Sequence, residues 1–216
     1  MRFHPHSAAF LPIRAVLFDI GGVFFLWPKP AFFMDWATQL AIEPEEIHQL
    51  LWYGPDIEAA NIGAITAEEY YRRCAGRLGV DEVQVRALIE TAFSGESLNE
   101  ELTTYVRLLR SRVQVAAITN TWSFGRILIE RRGIADLFDL IVTSAKEGII
   151  KPDRRIYEVA LEQLAIAAAE AVFVDDSDEN VMAARALGIQ SILFHSTEQT
   201  IAELEELFVQ RGVIHR

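Results

Sequence analysis

Four short stretches of the chain place acidic, basic and amide side chains directly after apolar runs. In chain order they contain Asp19, Thr119 with Asn120, Lys151, and Asp175 with Asp176. A carboxylate can attack phosphorus or bind Mg²⁺, and cationic, hydroxyl and amide groups can hold the oxygens of a phosphoryl group. These residue types predict phosphoryl-transfer chemistry, provided that the fold brings the four stretches together.

The stretch around Asp19 indicates how this could happen. Asp19 ends an apolar run over residues 15–18 and is followed by Gly21 and Gly22, a pattern typical of a buried strand that breaks into a tight loop. In open α/β sheets, ligands bind outside the carboxyl ends of the strands. Asp19 is therefore expected at such an edge, although an aspartate that only caps a turn would fit this stretch alone.

Downstream of residue 100 the pattern alternates between helix and strand. Strands are expected at 113–119, 140–144, 171–176 and 191–194, and helices at 101–111, 124–133, 152–165, 179–188 and 200–212. Alternation of this kind predicts an α/β fold, a Rossmann-like parallel sheet with helices on both faces. The remaining chemical residues would then share the edge at which Asp19 lies.

The part of the chain between the first strand and this alternating region predicts short helices instead, among them 31–42, 43–53 and 66–80. In the last of these, Thr66 and Glu69 form a predicted capping box. We expect the helical part to be an insertion that covers the carboxyl edge as a small α-helical cap. The predicted domains are a core of residues 1–23 and 96–216 and a cap of residues 24–95.

Each candidate residue also has a purely structural interpretation. Thr119 could be an ordinary helix cap, and acids such as Asp175, Asp176, Asp178 and Glu179 favour the start of a helix. Lys151 fits such an interpretation less well, because a cation opposes the helix dipole at that end.

A bound phosphate would remove the conflict at Lys151. Asp19, Asp176 and the backbone carbonyl of Gly21 could then provide oxygen ligands for Mg²⁺. Asp19 could attack phosphorus with its other oxygen to give an aspartyl-phosphate, while Thr119, Asn120 and Lys151 hold the phosphoryl oxygens.

Composition limits the partners. The 216 residues are 51% hydrophobic and carry a formal net charge of −11. This negative charge argues against nucleic acid and anionic membranes as partners. A small phosphorylated molecule stays possible if a metal ion supplies positive charge. The single cysteine, Cys74, is expected to be a packing residue in a reducing compartment. No membrane span or signal peptide is predicted, His4 and His6 are expected in a loose tail, and the expected location is cytoplasmic.

In this order and spacing, the motifs FDIGGV, ITNT, IKPD and FVDDSDEN resemble the four motifs of the haloacid dehalogenase superfamily. The resemblance covers nearly the whole chain and is greatest to the branch with bacterial α-D-glucose-1-phosphatase and the amino-terminal phosphatase domain of soluble epoxide hydrolases. It implies an Mg²⁺-dependent hydrolase with Asp19 as the nucleophile and Asp176 as the principal acidic metal ligand. By the same resemblance, Thr119 and Asn120 form the phosphate-binding second motif, and Lys151 is the catalytic, phosphate-binding lysine of the third motif. Asp175 is implied to be an accessory metal ligand, and Asn180 a supporting polar residue.

The chain departs from that pattern at Gly21, where most phosphatases of the superfamily have an aspartate that acts as general acid. Loss of a general acid costs about 10²–10⁴-fold in rate if nothing replaces it. The hypothesis that follows is a slow enzyme, or one whose substrate has a stabilised leaving group, such as a sugar 1-phosphate, an acyl phosphate or an aryl phosphate. Sugar 6-phosphates should then be poorer substrates than p-nitrophenyl or acetyl phosphate.

Three functions stay open at this point: a phosphatase for a small metabolite, with sugar phosphates among the candidates, a 2-haloacid dehalogenase, and a weakly active binding or regulatory protein. Asp175 and Asp176 argue against the dehalogenase, because further anions would repel a carboxylate substrate. Arg126 could reach a substrate, although a solvated helix residue is the simpler expectation. A substrate wall or ordinary helix packing would each explain the aromatic residues Trp27, Phe32, Phe33, Trp36, Trp52 and Tyr53.

Overall fold

A computed structural model describes residues 11–26 and 33–213. Its main sheet is parallel and five-stranded, in the order β5-β4-β1-β6-β7. The strands are β1 (Ala15–Phe18), β2 (Phe25–Leu26), β3 (Ser97–Leu98), β4 (Gln114–Thr119), β5 (Leu140–Thr143), β6 (Ala171–Asp175) and β7 (Gln190–Leu193). The predicted Rossmann-like α/β fold is confirmed.

The first strand lies at the centre of the sheet because all four of its side chains are apolar and fully buried. It pairs in parallel with β4 on one side and with β6 on the other, so that Phe18 is aligned with both Ala117 and Val174. The backbone N–H of Asp19 donates to the carbonyl of Val174 at 2.8 Å. This register places the carboxyl ends of β1, β4 and β6 side by side.

Helices cover both faces of this sheet, as predicted. Val16 and Phe18 pack in a cluster with residues of α6 (Glu100–Leu109) and α11 (Thr197–Arg211). Leu17 packs on the opposite face in a cluster with residues of α9 (Arg154–Leu164) and α10 (Asp178–Ala186). The helices of the described residues are α1 (Met34–Leu40), α2 (Pro44–Trp52), α3 (Pro55–Asn61), α4 (Ala67–Leu78), α5 (Glu82–Ser94), α6 (Glu100–Leu109), α7 (Gly125–Arg131), α8 (Ser144–Glu147), α9 (Arg154–Leu164), α10 (Asp178–Ala186) and α11 (Thr197–Arg211).

Two helix starts differ from the sequence prediction. The helix expected to begin at Pro152 begins at Arg154, because the Asp153 side chain accepts from the N–H of Arg155 and acts as the N-cap. The last helix begins three residues early, at Thr197, because Ser196 and Gln199 form a capping box. Both differences arise from side-chain capping and leave the order of elements unchanged.

The first five helices lie between β2 and β3, which pair as a two-residue antiparallel ribbon. This ribbon was not predicted, because two residues are too few to show a strand pattern. The five helices share a hydrophobic cluster that also includes Trp122, which follows β4. Cys74 is fully buried in this cluster, and this confirms that Cys74 is a packing residue. Thr66 caps α4, but the Glu69 side chain pairs with Arg72 and Arg73 instead of completing the predicted capping box.

Within residues 11–26 and 33–213, we find no helix that has both the length and the apolar character needed to cross a membrane. The predictions for His4, His6, Trp27 and Phe32 fall outside the described residues.

Candidate active site

Lys151 is the centre of the polar cluster at the carboxyl edge of the sheet. Its Nζ lies 2.8 Å from Oδ1 of Asp19 and 2.7 Å from Oδ2 of Asp175. The side chain is only 1% exposed, and that of Asp175 is fully buried. The fold therefore brings three of the sequence-predicted residues into direct contact, although they come from the ends of β1 and β6 and from the loop before α9.

Asp175 has further partners that fix its carboxylate. Oδ1 accepts from the backbone N–H of Ser177 at 2.8 Å, and Nδ2 of Asn180 lies 3.0 and 3.1 Å from the two carboxylate oxygens. The Tyr157 hydroxyl donates to the carbonyl of Asn180 at 3.0 Å. Asp175 thus precedes α10 and aligns Lys151, so its interpretation as an acid at a helix start does not hold, whereas Asp178 and Glu179 do lie in the first turn of α10.

Asn120 locks the loop after β4 to the backbone of Lys151. Its Nδ2 donates to the Lys151 carbonyl at 3.0 Å, and its Oδ1 accepts from the Lys151 N–H at 2.8 Å. Both ends of the amide are therefore engaged in positioning the lysine. Thr119, the buried last residue of β4, is not a helix cap, because the following helix begins at Gly125 with Phe124 as its N-cap.

The glycine loop after β1 passes directly beneath Asp176. Gly22 has φ +75°, and a Cβ added to it would lie 1.9 Å from Oδ2 of Asp176. The N–H of Gly22 donates to the carbonyl of Phe25 at 2.8 Å, which closes the loop. Only glycine combines this left-handed conformation with so close an approach, so the second glycine of the motif leaves room for a carboxylate.

Carboxylate oxygens of Asp19, Asp175 and Asp176 lie within 4.8 Å of one another. Because both oxygens of Asp175 are already engaged, Asp19 and Asp176 provide the better donors, and the neighbouring carbonyl of Gly21 could add a third. Oxygen donors with a pair of carboxylates suit a hard divalent cation. The donor set at this edge is therefore compatible with Mg²⁺.

The electrostatics of the site also favour a cation. Burial raises the pKa of Asp19 to about 7; Lys151 opposes this shift and the negative charge of Asp175 adds to it. Partial burial and Asp175 likewise raise the pKa of Asp176. Burial acts to lower the pKa of Lys151, but Asp19 and Asp175 outweigh it and the pKa is raised. One buried cation therefore faces three carboxylates, and a divalent ion would stabilise their ionised forms.

A cavity of about 680 Å³ opens from this edge toward the helical segment α1–α5. Gly21, Thr119 and Asn120 lie on its polar side. Of the aromatic residues considered from sequence, Trp52 and Tyr53 line the cavity. Phe33 and Trp36 pack among the helices instead, with Phe33 fully buried and Trp36 Nε1 donating to the Thr91 hydroxyl at 3.1 Å.

The cavity wall also includes residues that the sequence does not single out, among them Phe93, Glu96, Trp122 and Arg132. The guanidinium of Arg132 pairs with Glu96 at 2.9 Å and lies over the ring of Phe25. Only Trp122 had a usable signal, because it follows the ITNT motif directly. Arg126 is exposed, does not line the cavity and pairs with Glu130 at 3.1 Å, as expected of a solvated helix residue.

The sheet and its acidic, lysine-containing edge define an α/β enzyme whose ligand site lies at the carboxyl ends of the strands. Residues 13–188 match the haloacid dehalogenase-like hydrolase family. The chain belongs to this family of hydrolases, and the resemblance stated from the four motifs is confirmed.

Individual relatives agree with this assignment. The sesquiterpene phosphatase astK of Aspergillus oryzae is 32% identical over 197 residues, which cover 90% of this chain and 96% of the relative. The bifunctional epoxide hydrolase 2 of Sus scrofa is 27% identical over 91% of this chain, which spans only 39% of that longer protein. A haloacid dehalogenase family enzyme of Bacteroides thetaiotaomicron, solved with magnesium and inorganic phosphate, superposes with a TM-score of 0.69 at 22% identity and covers 83% of this chain and 93% of its own.

Proposed function

We propose that the protein is an Mg²⁺-dependent phosphatase that hydrolyses a small phosphomonoester through an aspartyl-phosphate on Asp19. The observation that carries the proposal is the contact of Lys151 with Asp19 inside an acidic cluster at the carboxyl edge of the sheet. A relative named as a phosphatase and a structural neighbour that holds magnesium and phosphate support the same reaction class.

In this proposal, Asp19, Asp176 and the carbonyl of Gly21 hold the Mg²⁺, with Asp175 as an accessory acid. When bound, the ion neutralises negative charge on the phosphoryl group and on the carboxylates around it. A bound ion would also lower the pKa of Asp19, which burial raises, because a nearby cation favours the ionised carboxylate.

The protein groups divide the work as follows. A carboxylate oxygen of Asp19 attacks phosphorus, the bond from phosphorus to the alcohol oxygen breaks, and the leaving oxygen takes a proton from water. Lys151 and Thr119 hold the phosphoryl oxygens while negative charge develops on them. Water then hydrolyses the aspartyl-phosphate, which releases phosphate and restores Asp19.

Two amides position this machinery without touching the reacting atoms. Asn120 holds the backbone of Lys151 through two hydrogen bonds, and Asn180 orients Asp175, which pairs with the ammonium group. Both ends of the lysine are thereby fixed. Such preorganisation keeps the cation in place before phosphate binds.

The segment of residues 24–95 serves in this proposal as a cap that selects the substrate. It contributes Trp52, Tyr53 and Phe93 to the cavity wall, whereas the catalytic residues all belong to the proposed core of residues 1–23 and 96–216. Catalysis and substrate selection are then separable by mutation.

A dehalogenase function fits the site less well. Its carboxylate substrate would approach three carboxylates that share one buried lysine, and like charges at this distance repel strongly. A phosphatase overcomes the same repulsion with its metal ion.

The test measures phosphate release from acetyl phosphate, p-nitrophenyl phosphate and glucose 6-phosphate, with Mg²⁺ and with a chelator, beside chloride release from 2-chloropropionate. We expect Mg²⁺-dependent phosphate release without chloride release. Because Gly21 provides no general acid, the first two substrates should be hydrolysed faster than glucose 6-phosphate. Chloride release, or phosphate release that is unaffected by the chelator, would contradict the proposal.

A further inference from the structure

The cavity is much larger than a phosphoryl group requires. Its volume of about 680 Å³ lies within the roughly 300–1,000 Å³ that is usual for pockets that enclose drug-sized ligands. One water molecule takes up about 30 Å³ of liquid, so a phosphate ion would fill only a small part of the space. The remaining volume is available to the organic part of a substrate.

Aromatic rings form one wall of the cavity. Trp52, Phe93 and Trp122 form a triangle in which the ring centroids are 5.6, 5.8 and 5.9 Å apart. Trp122 follows Asn120 by two residues, so the aromatic wall begins directly beside the loop that fixes Lys151. Leu128 of α7 and Ile57 of α3 extend the apolar lining.

Polar residues also line the cavity, and His48 and Asn61 are among those with a buried atom that lacks a hydrogen-bond partner in the described residues. Oδ1 of Asn61 and Nδ1 of His48 are buried atoms with no hydrogen-bond partner among residues 11–26 and 33–213, and both residues line the cavity. Buried polar atoms without partners are unusual and costly. Their presence indicates that a ligand group or water occupies the cavity, which distinguishes it from a simple gap in packing.

We infer that the substrate is the phosphate monoester of a bulky, mainly apolar alcohol of about ten carbons or more. The inference rests on the proposed phosphatase function and specifies its substrate class. The phosphoryl group lies at Lys151 and Asp19, and the organic part extends along the aromatic wall. A sugar phosphate would instead need a hydrogen-bond partner for most of its hydroxyl groups, whereas most of the surface that lines the cavity is apolar.

The test measures the dissociation constants of butyl-, hexyl-, octyl- and decylphosphonate by calorimetry in the presence of Mg²⁺. These probes share one head group and are not hydrolysed, so only the buried apolar area changes along the series. Burial of each methylene strengthens binding by up to about fourfold. At a conservative twofold per methylene, the decyl compound should bind roughly sixty-fold more tightly than the butyl compound.

A pair of neighbouring substitutions locates the binding site. Leu128→Asn places an amide in the cavity wall, whereas Ile127→Asn makes the same kind of change on the adjacent residue of α7, which is 42% exposed and does not line the cavity. We expect Leu128→Asn to weaken decylphosphonate binding by about tenfold or more and Ile127→Asn to leave it unchanged. Urea unfolding of both variants checks that the protein is folded.

A dissociation constant that does not depend on chain length would overturn the inference, as would an equal effect of the two substitutions. Phosphate release from acetyl phosphate is measured in parallel, because this substrate has no apolar chain. If acetyl phosphate is hydrolysed but binding is flat along the series, the substrate class is wrong and the phosphatase proposal stands. If binding follows chain length but acetyl phosphate is not hydrolysed, the cavity binds an apolar chain and the phosphatase proposal is wrong.

Discussion

Replacing Gly22 with alanine should reduce metal-dependent activity by about a hundredfold or more while leaving the protein folded. The new Cβ would lie 1.9 Å from Oδ2 and 2.6 Å from Cγ of Asp176. To restore an ordinary contact of 3.4 Å, the carboxylate oxygen must move by about 1.5 Å. Mg²⁺ requires near-ideal octahedral geometry at about 2.0–2.1 Å, so a displacement of this size removes Asp176 as a ligand.

The magnitude can be estimated from two separate effects. The positive φ of Gly22 makes alanine less favourable by about 1–2 kcal/mol, which lowers the melting temperature of a chain of this size by roughly 2–8 °C. The displaced carboxylate should reduce kcat/KM by about a hundredfold or more, as misplacements near 1 Å typically do.

Gly79→Ala is the matched control. Gly79 has φ +68°, but no atom lies within 4 Å of its added Cβ, so the control experiences the backbone penalty without the steric contact. Thermal unfolding and the Mg²⁺ dependence of phosphate release are measured for both variants. We expect the two variants to lose similar amounts of melting temperature, and only Gly22→Ala to lose activity. Equal Mg²⁺ dependence of phosphate release in the two variants would refute the steric reasoning.

Two further predictions concern the surroundings of the site. Asn180→Ala should reduce kcat/KM by about 10–100-fold, because it removes the hydrogen bonds that orient Asp175, whereas Asp178→Ala on the exposed side of the same turn should change it little; equal kinetics would exclude the positioning role. Burial raises the pKa of Glu96 to about 7 although Arg132 opposes this shift, so the folded state binds the proton more tightly and the contribution of Glu96 to stability falls as pH rises from 4.5 to 7. The free energy of unfolding of the wild type relative to Glu96→Gln should therefore fall by up to about 3 kcal/mol between pH 4.5 and pH 8, and urea titrations that give a constant difference would contradict this.

Much of the fold and the centre of the site could be predicted because both depend on local sequence. The apolar run before Asp19 is fully buried, and parallel strands end at a common edge. The convergence of Asp19, Thr119 and Asp175 therefore follows from strand order. Lys151 could be singled out because a cation next to Pro152 opposes the dipole of the helix predicted to begin there.

The features that sequence analysis missed depend on contacts between distant segments. The bonds of Asn120 to the Lys151 backbone span 31 positions, and the pair of Glu96 with Arg132 joins the end of the helical segment to the far end of α7. The β2–β3 ribbon is stabilised by the pairing of two distant segments, and each strand is too short to show as an apolar run in the sequence. The cavity wall likewise combines Trp52 and Trp122, whose proximity no spacing rule predicts.

The central claim is that Asp19 is the nucleophile of an Mg²⁺-dependent phosphatase. The most direct measurement is the rate of phosphate release from acetyl phosphate in saturating Mg²⁺ by the wild type, Asp19→Asn and Asp178→Asn. Asp178 is exposed in the first turn of α10, so its substitution makes the same chemical change beside the site. We predict a loss of roughly 10³-fold or more for Asp19→Asn and near-wild-type turnover for Asp178→Asn; retention of activity within tenfold in Asp19→Asn would contradict the account.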